Sequence, residues 1–126
     1  MSTIKLGVTP KSFKRVVKFD MLDGSIGMIE ADFRYRTRDE FGKFIDQMVK
    51  DSGVAPEQVE GLGMSGLMSR TTDQNGRYLI EILEGWNLPE PLTIDKTRQL
   101  ANEIPAAAAA LMETYRSAIA EGRLGN

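Results

Sequence analysis

Carboxylates are the side chains of this sequence that could serve as a catalytic acid and base. Two pairs are closely spaced, Asp39 with Glu40 and Glu81 with Glu84. The 126 residues contain no histidine and no cysteine, which excludes imidazole and thiolate chemistry and the usual zinc sites. A catalytic carboxylate needs surroundings that shift its pKa, and no such partner stands near either pair. We therefore expect no enzymatic activity, no cofactor and no metal site.

The first pair stands where a strand pattern gives way to a helix. Thr37 and Glu40 form the T-x-x-E capping box of a helix start, and Asp39 and Glu40 suit the positive end of the helix dipole. The helix is predicted over residues 38–52, with Gly53 as its stop. Its apolar residues form one stripe, which we expect to pack on the preceding hairpin: Phe41, Phe44, Ile45, Met48 and Val49.

That hairpin is predicted over residues 13–37, where apolar and charged side chains alternate in two stretches. Between the stretches lies the loop Leu22-Asp23-Gly24, whose glycine suits a three-residue turn with a G1 bulge. Placing Met21 opposite Ser25 puts the apolar residues of both strands on one face. The resulting pairs are Phe19 with Gly27, Val17 with Ile29, Phe13 with Phe33 and, on the other face, Lys14 with Asp32. A register shifted by two residues keeps the same faces.

Helical spacing recurs in the second half of the chain. We predict helices at about 77–85, 94–104 and 105–121, and an irregular loop over 54–76. Glu81 and Glu84 then flank the apolar stripe of the helix 77–85, which explains the second carboxylate pair. Thr93 can cap the next helix, and Pro105 either kinks that helix or opens the last one. The prediction is a single α+β domain, residues 1–126, in which an N-terminal antiparallel β-hairpin packs on a bundle of three to five α-helices.

Charge is unevenly distributed along the chain. The net charge is −2 and the isoelectric point about 5.2, yet the first 38 residues carry an excess of basic groups. Four of these fall on one face of the predicted hairpin, Lys14, Lys18, Arg34 and Arg36, and Arg38 lies just beyond it. Nucleic-acid binding is one interpretation, but Glu30 and Asp32 lie among these charges, which favours an ion-paired, solvated sheet face. We expect no nucleic-acid partner.

Apolar runs are short. The longest spans residues 106–112, far less than a bilayer requires, and the first residues lack the apolar core of a signal peptide. We expect a cytosolic protein with no membrane partner.

Two segments are candidates for binding other proteins. Met64, Leu67 and Met68 lie in the glycine-rich stretch 54–76, and methionine suits adaptable contact surfaces, although such residues also pack onto a core. The alanine run 106–110 favours close helix packing. Its residues Ala107 and Ala110 serve either the fold or self-association.

The order of several segments resembles the tail assembly chaperones of long-tailed bacteriophages. The segments are "FRYRTRDEF" (33–41), "ILEGWNLPEPLT" (82–93) and "PAAAAALMETY" (105–115), and the resemblance covers about residues 14–122. It does not extend to the stretch 54–76. The resemblance implies no catalytic residues at any position of this sequence, which agrees with the expectation that the carboxylates are structural.

The resemblance implies a chaperone that binds the tape-measure protein and itself in the bacterial host cytoplasm. Such proteins keep the tape measure soluble until tail-tube protein polymerises around it, and they are absent from the mature virion. Adaptable, displaceable contacts suit that task, and self-association adds avidity. The alternative is a structural tail or connector subunit that is retained in the virion.

Relatives are often made in a second, longer form through a ribosomal frameshift. Leu124-Gly125-Asn126 permits the codons CTG GGA AAC, which contain a slippery heptamer. A frameshift-extended form of the chain is therefore a hypothesis that the gene sequence tests.

Overall fold

The structure, a computed structural model, describes residues 4–52 and 72–122. Its described part is α+β, as predicted, with a three-stranded antiparallel sheet in the order β1-β2-β3. The elements along the chain are β1 (Ser12–Asp20), β2 (Ile26–Arg34), α1 (Arg38–Ser52), α2 (Thr72–Ile82), β3 (Leu83–Trp86), α3 (Ile94–Glu103) and α4 (Pro105–Glu121). None of the helices in these ranges is long and apolar enough to span a bilayer.

The hairpin has the register that places Met21 opposite Ser25. Met21 N donates to Ser25 O at 2.8 Å, and Gly24 has φ +87°, the left-handed conformation that closes the three-residue loop. Phe19 pairs with Gly27 and Val17 with Ile29, so the alternative register shifted by two residues is not adopted.

Helix caps confirm several predicted boundaries. Thr37 N donates to Glu40 Oε1 at 2.8 Å, and Glu40 N donates to Thr37 Oγ1 at 3.2 Å, which completes the predicted capping box of α1. Thr93 Oγ1 accepts from Lys96 N at 3.2 Å at the start of α3. Pro105 stands in the first turn of α4, so it opens a new helix and does not kink the preceding one.

The prediction of a helix over 77–85 is wrong at both ends. α2 begins at Thr72 and ends at Ile82, so residues 72–76 of the predicted loop are helical, and Leu83–Trp86 form strand β3. The remainder of that loop and Gly53 lie outside the described residues. β3 pairs with the free edge of β2, Trp86 opposite Ala31. The edge of β2 offers unpaired backbone N–H and C=O groups, which a local sequence pattern does not show. Hydrogen bonding to them stabilises residues 83–86 as a strand, although their apolar spacing is helical.

α4 occupies the place expected for α1. It packs on β1 and β2, whereas α1 packs on α4 and α2 and contacts the hairpin less than predicted. Tyr115 of α4 lies at the centre, with its ring centroid 5.5 Å from that of Phe33 and 5.8 Å from that of Phe41. Ala107 and Ala108 are buried, and their small side chains let α4 approach its neighbours closely.

Candidate partner-binding groove

Three of the four carboxylates singled out from the sequence have partners within the fold: Glu40, Glu81 and Glu84. Hydrogen bonds from Thr37 lower the pKa of Glu40 from its ordinary value. Glu81 and Glu84 lie 3.6 and 3.5 Å from the guanidinium of Arg34. In residues 4–52 and 72–122, no three acidic side chains come together to hold a metal ion. Glu40 therefore caps α1, and Glu81 and Glu84 pair with Arg34 at the surface of the sheet.

Two of the basic residues on the hairpin are engaged within the fold. Arg34 pairs with the two glutamates, and Arg36 Nη1 donates to Tyr115 Oη at 3.0 Å and to Glu81 O at 3.1 Å. The Arg36 guanidinium also lies 4.3 Å from the ring centroid of Phe44. Lys14 is opposite Asp32 in the register, but it forms no ion pair with any residue of the described ranges.

An apolar groove of about 350 Å³ lies between the turn end of the hairpin and α3. Five half-buried apolar side chains line it: Phe19, Met21, Trp86, Leu88 and Ile104. Its rim carries charges of both signs from Glu90, Lys96 and Glu103. The groove thus offers an apolar floor framed by polar groups, which is the usual arrangement of a surface that binds an amphipathic segment.

Gly27 shapes the floor of the groove. A Cβ atom at this position would lie 2.5 Å from Phe19 Cε2 and 2.9 Å from Met21 Sδ. The absence of a side chain therefore lets the ring of Phe19 and the thioether of Met21 lie across β2.

Hydrogen bonds hold the wall formed by residues 86–90. Trp86 Nε1 donates to Glu90 O at 2.9 Å, which closes the proline-containing stretch on itself. Glu30 N donates to Asn87 Oδ1 at 2.9 Å, which ties this stretch to β2. The wall is therefore positioned by directed bonds, whereas the floor is adaptable because it contains a methionine.

Of the residues predicted as contacts, Ala107 and Ala110 do not line the groove. Ala107 is fully buried, and Ala110 is half-buried against the core. Met64, Leu67 and Met68 lie outside the described residues. Sequence reasoning missed the groove because Trp86 was assigned to a helical stripe. The available signal was Trp86 and Leu88 beside two prolines, together with Gly27 opposite Phe19.

Comparison with known proteins identifies the family. A family model described as phage tail assembly chaperone matches residues 1–126. No curated protein and no solved structure matches the chain. The chain therefore belongs to the phage tail assembly chaperone family.

Proposed function

We propose that this chaperone binds the tape-measure protein, keeps it in solution while the tail tube assembles, and leaves before the virion is complete. The observation that supports this proposal is the apolar groove between the hairpin turn and α3. The site of action is the bacterial host cytoplasm during tail assembly.

Three properties of the groove suit a partner that must later be displaced. Its apolar side chains are half-buried, so each contributes only part of its area to a contact. Met21 can adjust to successive, non-identical segments of a long chain. Rim charges of both signs can face the polar side of an amphipathic helix without fixing one register.

Avidity compensates for weak single contacts. We propose that several copies bind along one tape-measure chain and contact one another, so that each engaged copy raises the effective concentration of the next. Arriving tail-tube protein then displaces them one by one. Met64, Leu67 and Met68 remain predicted secondary contacts, and a frameshift-extended form would join the same array. The burial of Ala107 favours a role in internal packing, so Ala110 is the better candidate on α4.

Co-expression with the tape-measure protein tests the groove. Met21→Glu and Leu88→Glu each place a charge among its apolar side chains, and we expect the soluble tape-measure fraction to fall several-fold in both variants. Leu22→Glu is the matched control, because Leu22 is adjacent in sequence, fully exposed and outside the groove. Circular dichroism and thermal melting establish that each variant is folded. Undiminished solubilisation by folded Met21→Glu and Leu88→Glu would refute the assignment.

Mass spectrometry of purified virions separates the chaperone from the alternative of a structural tail or connector subunit. A chaperone that leaves is absent from the particle. Detection in many copies per virion would favour the structural alternative.

A further inference from the structure

β1 is an edge strand whose outward backbone groups are arranged for pairing. In the described ranges it pairs only with β2. Met21 N donates to Ser25 O, and Tyr35 N donates to Lys11 O, which shows that odd-numbered residues of β1 direct their backbone groups toward β2. Even-numbered residues from Ser12 to Asp20 therefore direct their N–H and C=O groups away from the sheet. Such an edge is a template for another strand.

The charges along this edge complement a reversed copy of themselves. We propose that β1 pairs antiparallel with β1 of a second copy, about a twofold axis at Val17, so that two three-stranded sheets become one. This register sets Lys14 opposite the partner's Asp20 and Val16 opposite the partner's Lys18. All outward-directed residues from Lys14 to Asp20 then face one another, and they exchange about eight backbone hydrogen bonds.

Neighbouring registers and unrelated strands are less suitable. Moving the axis to Val16 would set Lys14 opposite the partner's Lys18, which places like charges side by side. Lysines on an edge strand also discourage pairing with arbitrary strands. A second copy places its Asp20 opposite Lys14, and the contact covers Val16, which is 48% exposed. Charge thus selects both the partner and the register.

Arg15 accommodates the new strand by changing partners. Its Nη1 now donates to Lys14 O at 2.8 Å, one of the edge acceptors, and its guanidinium lies 5.1 Å from the ring centroid of Phe13. In the proposed pair Arg15 lies opposite the partner's Phe19 on the inner face. The guanidinium can release Lys14 O to the new strand while it keeps its contact with the ring of Phe13.

The inference deepens the self-association part of the proposed function and is tested on purified full-length chain alone. Sedimentation velocity across a concentration series should show a reversible dimer. Lys14→Asp and Asp20→Lys each replace two attractive contacts per dimer by repulsive ones, and each should raise the dimer Kd about tenfold or more. The double variant Lys14→Asp/Asp20→Lys should restore the Kd of the wild-type dimer. Lys43→Asp and Asp46→Lys, on the exposed side of α1, are matched controls that should leave the Kd unchanged.

Disulfide trapping tests the register, because the chain has no cysteine of its own. Opposite Cα atoms of a hydrogen-bonded pair lie about 5.5 Å apart, within disulfide range. A mixture of Val16→Cys and Lys18→Cys chains should cross-link on oxidation, while each variant alone should not.

Three results would overturn the proposal: cross-linking by Val16→Cys alone, a wild-type chain that stays monomeric up to about 1 mM, or a dimer insensitive to the charge reversals. Binding of the tape measure by a chain that stays monomeric would leave the groove proposal standing and assign the β1 edge no role in self-association.

Discussion

The two ends of the hairpin carry the same alternating pattern but have different environments. The end far from the turn is covered by α4 and is called the closed end here; the rings of Phe13, Phe33 and Tyr115 lie against one another there, with centroids 5.4 to 6.1 Å apart. Tyr115 Oη also donates to Arg34 O at 2.8 Å. The end next to the turn is called the open end and is defined by Phe19, Met21 and Gly27; its apolar side chains line the groove and stay half-buried.

The difference separates the apolar surface that is buried within the fold from the apolar surface that stays accessible to a partner. α4 covers the closed end and satisfies its polar groups by directed bonds. Among residues 4–52 and 72–122, α3 and residues 86–90 frame the groove at the open end, and the apolar side chains there keep exposed area that a partner can bury. Substitutions at the closed end should therefore act on stability, and those at the open end on binding.

The largest effect is expected from truncating a ring at the closed end. Phe33 is fully buried, so Phe33→Ala should lower the free energy of unfolding by about 3–5 kcal/mol. Phe19→Ala, the matched change at the open end, should cost less than about 2 kcal/mol because the ring is only half-buried. Urea denaturation measures both. Equal losses at the two positions would contradict the distinction between the ends.

A smaller effect is expected from removing the Tyr115 hydroxyl. Tyr115→Phe keeps the ring but removes the donor to Arg34 O and one of the two acceptors of Arg36 Nη1, and it should cost about 1–2 kcal/mol. Tyr35→Phe is the control, since the Tyr35 hydroxyl bonds to no residue within the described ranges. Chemical denaturation of the two variants should differ by most of this amount. Similar stabilities would mean that the closed end relies on packing alone.

The cap of α1 links the closed end to pH. Thr37→Ala should cost about 1 kcal/mol. Because the pKa of Glu40 is lowered in the fold, its contribution is present above the ordinary glutamate pKa and is lost as the pH falls through and below about 4.5. Glu40→Gln keeps an acceptor for the Thr37 N–H but has no titrating carboxyl, so this variant should lose less stability between about pH 5 and pH 3 than the wild type. Thr93→Ala removes a cap that has Lys96 at the third position, so it should leave the acid response unchanged. Identical acid responses in the wild type, Glu40→Gln and Thr93→Ala would contradict this role of Glu40.

The smallest effect on stability is expected at the groove floor. Gly27→Ala pushes its Cβ against the far ends of Phe19 and Met21, which can swing into the open groove, so stability should change by less than about 1 kcal/mol. Tape-measure solubilisation in co-expression should nevertheless decrease, because the displaced ring narrows the groove. A loss of several kcal/mol would show that the open end is packed as tightly as the closed one.

Local patterns were sufficient for the hairpin and the helix caps. The alternation of Val17 and Phe19 with charged residues, and the glycine at position 24, specify faces and turn within one short stretch. Two registers remained compatible with that pattern, and the structure adopts the one with Met21 opposite Ser25. Thr37 and Thr93 marked helix starts because a cap is a contact between residues three apart. The groove was not predictable in this way, since its walls come from four separated segments.

The sequence by itself determined the fold class, the faces and turn of the hairpin, and the capped starts of α1 and α3, since each depends on neighbours a few residues apart. Tertiary structure decided that Leu83–Trp86 form a strand and that α4, not α1, lies on the hairpin. It also decided which apolar side chains stay half-exposed in the groove. These outcomes depend on which of several elements, distant in sequence, packs best on one sheet edge and one apolar face. The spacing of residues within a single element does not contain that information.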